Sequence, residues 1–273
     1  MMSLTLELTV VWGYSIKAKK VAKSQHAHPL PPPSTLIGAI AKGLAQQDNS
    51  GETILTNSKI ASRAQHYTHI FRAASTYLDT RPNGLPYMGK YWEDPIRYQI
   101  LQFQREERRH LPNFRFNIVP AGKVYSPSSR LVVGYLIDEA AAKKTLGEQW
   151  ENRLCAAAYM LTHLGSKESI VAVEEVELRE ASKHNGQNFE TRFYQKAGLV
   201  RDARVVDRGP YGLGGIYVET FWENDYNWGA EPASVEYIVP GSRDPVTSCK
   251  MTVTPNPRSY VYMVGEDGIV IST

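Results

Sequence analysis

The chain has 273 residues, 42% hydrophobic and 22% charged, with a formal net charge of +3. That composition is ordinary for a soluble globular protein, and the length suffices for one large domain or two smaller ones. No apolar run reaches the length of a membrane span and no signal peptide is expected; Cys155 and Cys249 lie far apart without a Cys-x-x-Cys, which argues against a disulfide framework or a zinc site and points to a reducing cytoplasm.

In chain order, Leu4, Leu6, Leu8, Val10 and Trp12 alternate with more polar neighbours, the period-two pattern of a strand with one apolar face. Gly13 ends it, and a long connection follows that carries Lys17, Lys19, Lys20 and Lys23, then His26 and His28. Connections of this length are usually functional or mobile. Lysines between a strand and a helix start suit phosphate contact, while a solvated loop is the plain alternative. His26 and His28 have no Cys or carboxylate beside them, so no metal is expected.

The connection leads into Pro31-Pro32-Pro33-Ser34-Thr35-Leu36. Three prolines keep the backbone extended, and Ser34 is placed to cap the helix that follows. Leu36, Ile37, Ile40, Ala41 and Leu44 recur at helical spacing. Gly38 and Gly43 each cost about 1 kcal/mol of helix propensity, which makes sense where another backbone or a nucleic acid comes close. The first turn of such a helix offers N–H groups to an anion. A core helix with a stiff entry is the plainer reading.

A strand is expected over 69–78. An insert of about 79–130 carries two strand-like segments, 97–103 and 114–119, around a polar tip. That tip holds Arg105, Arg108 and Arg109, which suit phosphates. Too few apolar residues line the arm to hold it rigid alone. A strand at 131–137, a helix from about 148 to 163 stopped by a left-handed Gly165, and a strand over 169–178 follow. The apolar phase of that last strand slips near Glu174 and Glu175, the mark of a bulge. The order strand, helix, strand, insert, strand, helix, strand is the α+β ferredoxin-like βαββαβ plan, with both helices on one face and the other face partly open, as in RNA-recognition domains.

These elements give a domain over 1–178 with an inserted β-hairpin arm, or thumb, and a smaller β-rich lobe over 179–273. The lobe's expected strands lie near 216–221, 235–239, 250–254, 260–264 and 269–271. Its Gly-rich stretch around 208–215 lacks the Gly-Lys-Ser/Thr ending of a P-loop. Gly165-Ser166-Lys167 joins a helix end to a strand start. Glycine lets the backbone approach a phosphate, Ser166 adds a hydroxyl and Lys167 a point charge, although an exposed helix end is the bland alternative.

The stretch Pro31-Pro32-Pro33-Ser34-Thr35-Leu36-Ile37-Gly38-Ala39-Ile40-Ala41 after a basic segment, together with Leu164-Gly165-Ser166-Lys167-Glu168-Ser169-Ile170-Val171, resembles the fifth family of CRISPR-associated (Cas) proteins in the RAMP superfamily. The Gly-rich stretch of the lobe resembles the glycine loops of that superfamily. The resemblance implies the subunit of a type I Cascade complex that holds the five-prime handle of the CRISPR RNA and docks the backbone and large subunits. Target DNA would be met indirectly, since guide pairing reads it. The RNA-binding set is then Lys17, Lys19, Lys20, Lys23, Ser34, Thr35, Arg105, Arg108, Arg109, Gly165, Ser166 and Lys167, with no cofactor. Some relatives cut repeat RNA with a Tyr, Lys and His set. Tyr14, Lys17, His26 and His110 supply such residues without matching that pattern, so no catalytic residue is assigned. A repeat-RNA endonuclease and a scaffold without RNA contact remain the alternatives.

Overall fold

Leu4, Leu6, Leu8 and Val10 are wholly buried, and they sit on the central strand of the largest sheet. The computed structural model describes residues 1–18, 26–56, 59–81, 85, 87–99, 105–114, 116–208, 212–223 and 233–272. Strand Met2–Val10 lies between Ser129–Ile137 and Val171–Glu180, with Phe71–Leu78 outside Ser129–Ile137, all antiparallel. Trp12, expected at the strand's end, lies beyond it and packs on Tyr125. The phase slip is a bulge: Glu7 pairs with Glu175 and Leu8 with Val173, leaving Glu174 over.

One face of this sheet is covered by helices α1 (Pro33–Gln47) and α3 (Trp150–Tyr159). Leu36, Ile40 and Leu44 of α1 meet Leu154, Ala157 and Ala158 of α3 in the core that contains Leu4, Leu6 and Leu8. Gly43 is where the two helices touch: a Cβ there would lie 2.5 Å from the Ala157 carbonyl oxygen. A short helix α2 (Glu139–Leu146), not foreseen in the sequence, precedes α3 and is capped by Asp138, whose carboxylate accepts from Ala141 N–H at 3.1 Å. The helix expected to run to His163 ends at Tyr159. Leu161 and Leu164, the apolar residues that prolong its pattern, are buried in the turn that follows.

The opposite face, expected to be partly open, is covered over the strands Phe71–Leu78 and Ser129–Ile137. Tyr77, Val132 and Leu136 on that face are buried under Phe193, Val264, Ile269 and Ile271 from the C-terminal part. Gly134 makes room for this cover, since a Cβ there would lie 2.6 Å from the Phe193 ring. Toward the Val171–Glu180 edge this face carries Glu7, Glu175 and Glu177, of which Glu7 is paired with Arg130 and Glu177 with Arg179. Arg192 ties the cover down. Its guanidinium meets buried Asp267 at 2.7 Å and lies 4.4 Å from the Tyr77 ring centroid.

The described residues of the C-terminal part are mainly β, with one 3-10 turn at Ala197–Leu199. Gly215–Glu223 and Ala233–Arg243 pair along nine register positions, Phe189–Thr191 and Val200–Asp207 flank Lys250–Pro255, and Ser259–Val264 pairs with Asp267–Ser272. The apolar core crosses from the first part into it: Tyr194, Phe221 and Tyr237 belong to the same cluster as Leu4, with ring centroids 5.2 to 5.4 Å apart. The insert forms a two-stranded arm, Lys90–Gln99 on Phe116–Tyr125, with Gly13–Tyr14 added at its base. The first arm strand starts nearer the base than expected, at Lys90, and the second runs on past 119 to Tyr125; residues 100–103 of the expected first strand lie outside the described residues. No helix among the described residues is long and apolar enough to cross a membrane.

Candidate nucleic-acid interface

Helix α1 begins at Pro33, one residue earlier than Ser34 as cap would require. Its N-cap is Pro32, which has no side-chain hydroxyl, and Pro33 takes the first helical position, where no N–H is needed. Ser34 is therefore inside the first turn. The N–H groups of Thr35 and Leu36 both return to the Pro32 carbonyl, at 3.0 and 3.2 Å. Ser34 is thus the one first-turn residue whose N–H is neither missing nor committed to Pro32.

The proline run is held from below by two buried tyrosines. Tyr14 donates its hydroxyl to the Pro29 carbonyl, and Tyr194 donates to Pro31 at 2.8 Å. Burial pushes both hydroxyl pKa values far up, so both are neutral donors at ordinary pH. His28 adds a third anchor: its Nδ1 is 3.0 Å from Glu219 Oε1, and its ring meets Phe221 edge-on. Arg243 Nη1 lies 3.3 Å from the other Glu219 oxygen, in ion-pair range but out of line for a hydrogen bond.

The Gly165–Lys167 turn is docked on the start of the basic connection. Gly165 has φ +89°, and a Cβ on it would strike the Ile16 side chain at 2.5 Å. Ser166 N–H donates to the Ser15 carbonyl at 3.3 Å, and Ser15 N–H donates to Ser169 Oγ at 2.9 Å. The Ser166 hydroxyl is shared with Ser169 Oγ at 2.9 Å, so it is already used inside the turn. Gly165 and Lys167 are exposed. Gly165 does not stop α3, which ended at Tyr159; its positive φ serves this turn instead.

Lys17 sits where the connection leaves the body. It forms a β-bridge with Ala27, backed by Ala18 N–H to the His26 carbonyl at 2.7 Å and His28 N–H to the Ile16 carbonyl at 2.8 Å. Lys17, Ser34 and Thr35 line one small cleft with Ile16, His28 and Trp222. Thr35 also lines a larger neighbouring cleft of about 530 Å³ with Gly38, Lys42, His163, Gly165 and Lys167. The structure therefore gathers Lys17, Ser34, Thr35, Gly165, Ser166 and Lys167 around one end of α1. Gly38 has nothing within 4 Å of where a Cβ would stand.

Lys19, Lys20 and Lys23 lie outside the described residues. Arg105, Arg108 and Arg109 are exposed at the arm's tip, around the turn Glu106–Arg108. The arm strands are ten residues long, which puts that tip roughly 30 Å from the base. These arginines do not share the cleft. Glu106 and Glu107, between them in sequence, reduce the local positive charge. Of the residues weighed for cleavage chemistry, His26 bonds the Tyr91 hydroxyl at 3.2 Å, Tyr14 is buried and donates to the Pro29 carbonyl, and His110 is exposed on the arm.

Three residues of the larger cleft were not singled out from sequence: Lys42, Glu52 and His163. Lys42 was within reach, because Thr35, Gly38 and Lys42 fall on one helical stripe. Glu52 and His163 arrive by tertiary packing and left no local signal. Glu52 opposes an anion, and Lys42 offsets it at 3.7 Å.

Comparison with known proteins agrees with this chain along nearly its whole length. A family model described as CRISPR-associated protein (Cas_Cas5) matches residues 9–245. Two relatives from Saccharolobus solfataricus are similar over 97% of both chains: CRISPR system aCascade subunit Cas5 1, at 34% identity, and CRISPR-associated protein Cas5 3, at 32%. The fold is shared with a crystal structure of a CRISPR protein from Archaeoglobus fulgidus, at a TM-score of 0.54 and 16% identity, covering 100% of both chains. The chain belongs to the Cas5 family of CRISPR-associated proteins.

Proposed function

We propose that this protein is the RNA-binding subunit of a type I CRISPR interference complex, holding the five-prime handle of the CRISPR RNA beside the backbone and large subunits. One observation carries the reading. The end of α1 and the Gly165–Lys167 turn, far apart in sequence, line a single cleft whose glycine at position 38 leaves room for a strand. Lys167 lines it and Lys17 lines the smaller neighbouring cleft; both are exposed, so their ammonium groups meet phosphates without desolvation. The domain reading goes with it: a ferredoxin-like domain over 1–178 with an arm, and a β-rich lobe over 179–273. The antiparallel order of the four-stranded sheet supports the ferredoxin-like plan.

The test is a salt titration with labelled single-stranded RNA of CRISPR repeat sequence. Lys17→Ala with Lys167→Ala should weaken binding and flatten the slope of log affinity against log salt, by up to about 0.7 for each phosphate that is no longer neutralised. An unchanged slope removes the cleft from the site. A second reading, a metal-independent ribonuclease, rests on Lys17 and His28 lining one cleft with His28 oriented by buried Glu219. Incubating the same RNA with the protein in EDTA separates the two: a discrete product supports cleavage, and intact RNA supports binding alone.

A further inference from the structure

The outward face at the base of the arm is unlike the rest of the surface. Along the chain Met88, Lys90 and Trp92 point outward, while Gly89 and Tyr91 between them face the body. Trp92 is 48% exposed although it is the largest side chain there. Lys90 Nζ lies 5.2 Å from its ring centroid. Trp92 is paired across the arm with Lys123, and Lys90 with Tyr125. Lys123 Nζ in turn stands 5.2 Å over the Trp12 ring, which packs on Tyr125 at 5.3 Å. Exposed Trp92 and Lys90 thus stand together on a two-stranded support, beside Lys123, whose side chain is only 13% exposed and is paired with Glu168.

We propose that this face, centred on Trp92, is a stacking platform for a base of single-stranded RNA. Bases stack on exposed aromatic planes while the neighbouring Lys90 meets a flanking phosphate, a mode tolerant of sequence. Trp and Met are common at protein-docking centres too, but lysine is depleted there, and exposed Lys90 beside Trp92 favours RNA. The platform is joined to the cleft through the backbone. Ser15 donates its hydroxyl to the Gly122 carbonyl at 2.8 Å, and Lys123 pairs with Glu168, the neighbour of Lys167, at 3.2 Å. The inference rests on the RNA-binding reading above and adds a site that reads bases where that one reads phosphates.

The experiment compares wild type, Trp92→Ala and Trp92→Phe for binding labelled repeat RNA and an abasic oligonucleotide of equal length. Trp92→Ala should bind repeat RNA about tenfold more weakly, with the salt slope and the affinity for the abasic strand unchanged. Trp92→Phe should recover most of the loss, and all three should melt alike. Repeat RNA bound by Trp92→Ala as by wild type, while the Lys17 and Lys167 variants lose affinity, overturns the platform and leaves the cleft standing. Unchanged RNA binding with loss of a co-purifying protein overturns it in favour of a protein contact. Wild type that binds no repeat RNA overturns both readings together.

Discussion

Helix α1 carries two glycines five residues apart, and they do opposite things. Gly43 is pressed against the backbone of α3 at Ala157, whereas Gly38 faces empty space between Thr35 and Lys167. Both give up helix propensity. At Gly43 the loss is offset by close helix packing inside the molecule. At Gly38 nothing among the described residues offsets it, which is how a helix looks when its surface is shaped for a guest. On the proposed reading one end of the helix is structure and the other is site.

The sharpest break of this contrast is at the packed end. Gly43→Val should destabilise the fold by about 3 kcal/mol, because the new side chain meets backbone atoms that cannot rotate away. Thermal or denaturant unfolding reads it, and a neutral result would mean that the helices do not touch there. Next comes the support beneath the site. Tyr194→Phe leaves the buried Pro31 carbonyl without its donor and should cost about 2 kcal/mol, with RNA affinity falling as the proline run loosens. Tyr14→Phe should behave alike at Pro29.

Alkali tests the same support. Burial first, then the hydrogen bond to Asp48, raises the Tyr67 pKa to about 12, and Tyr14 and Tyr194 are shifted strongly in the same direction. A raised folded-state value means that the stability from these protons is whole below about pH 10, the unfolded value, and is lost as pH rises above it. Absorbance of tyrosinate from Tyr14 and Tyr194 should therefore appear only with cooperative unfolding. A single smooth titration of all tyrosines would show that the anchors are accessible. The smallest effect belongs to the open end: Gly38→Ala should raise stability by up to about 1 kcal/mol, since its Cβ meets nothing.

What was legible in the sequence was local. The alternation of Leu4, Leu6 and Leu8 announced a strand, the stripe from Leu36 to Leu44 a helix, and the slipped phase at Glu174 a bulge. Helix α2 escaped because only Ala142 and Leu146 of its eight residues are buried, too thin a stripe to read. The covered face of the sheet escaped for a longer-range reason. Val132 and Leu136 are met by Phe193, Val264 and Ile269, neighbours that no local pattern announces. The site divides the same way. Lys17, Thr35, Gly165 and Lys167 stand out by residue type and turn chemistry. Ser34 has the residue type of a cap without the role, because a proline fills the first helical position unaided.

The central claim is that the space beside Gly38 is kept for RNA. Gly38→Leu tests it most directly, because its Cβ meets no described atom within 4 Å and the rest of the side chain enters a cleft of about 530 Å³. Unfolding and repeat-RNA affinity should be measured on the same preparation. A fold as stable as wild type with RNA affinity reduced at least about tenfold, roughly 1.4 kcal/mol, is the expected result. An intact fold that binds repeat RNA as tightly as wild type would contradict it.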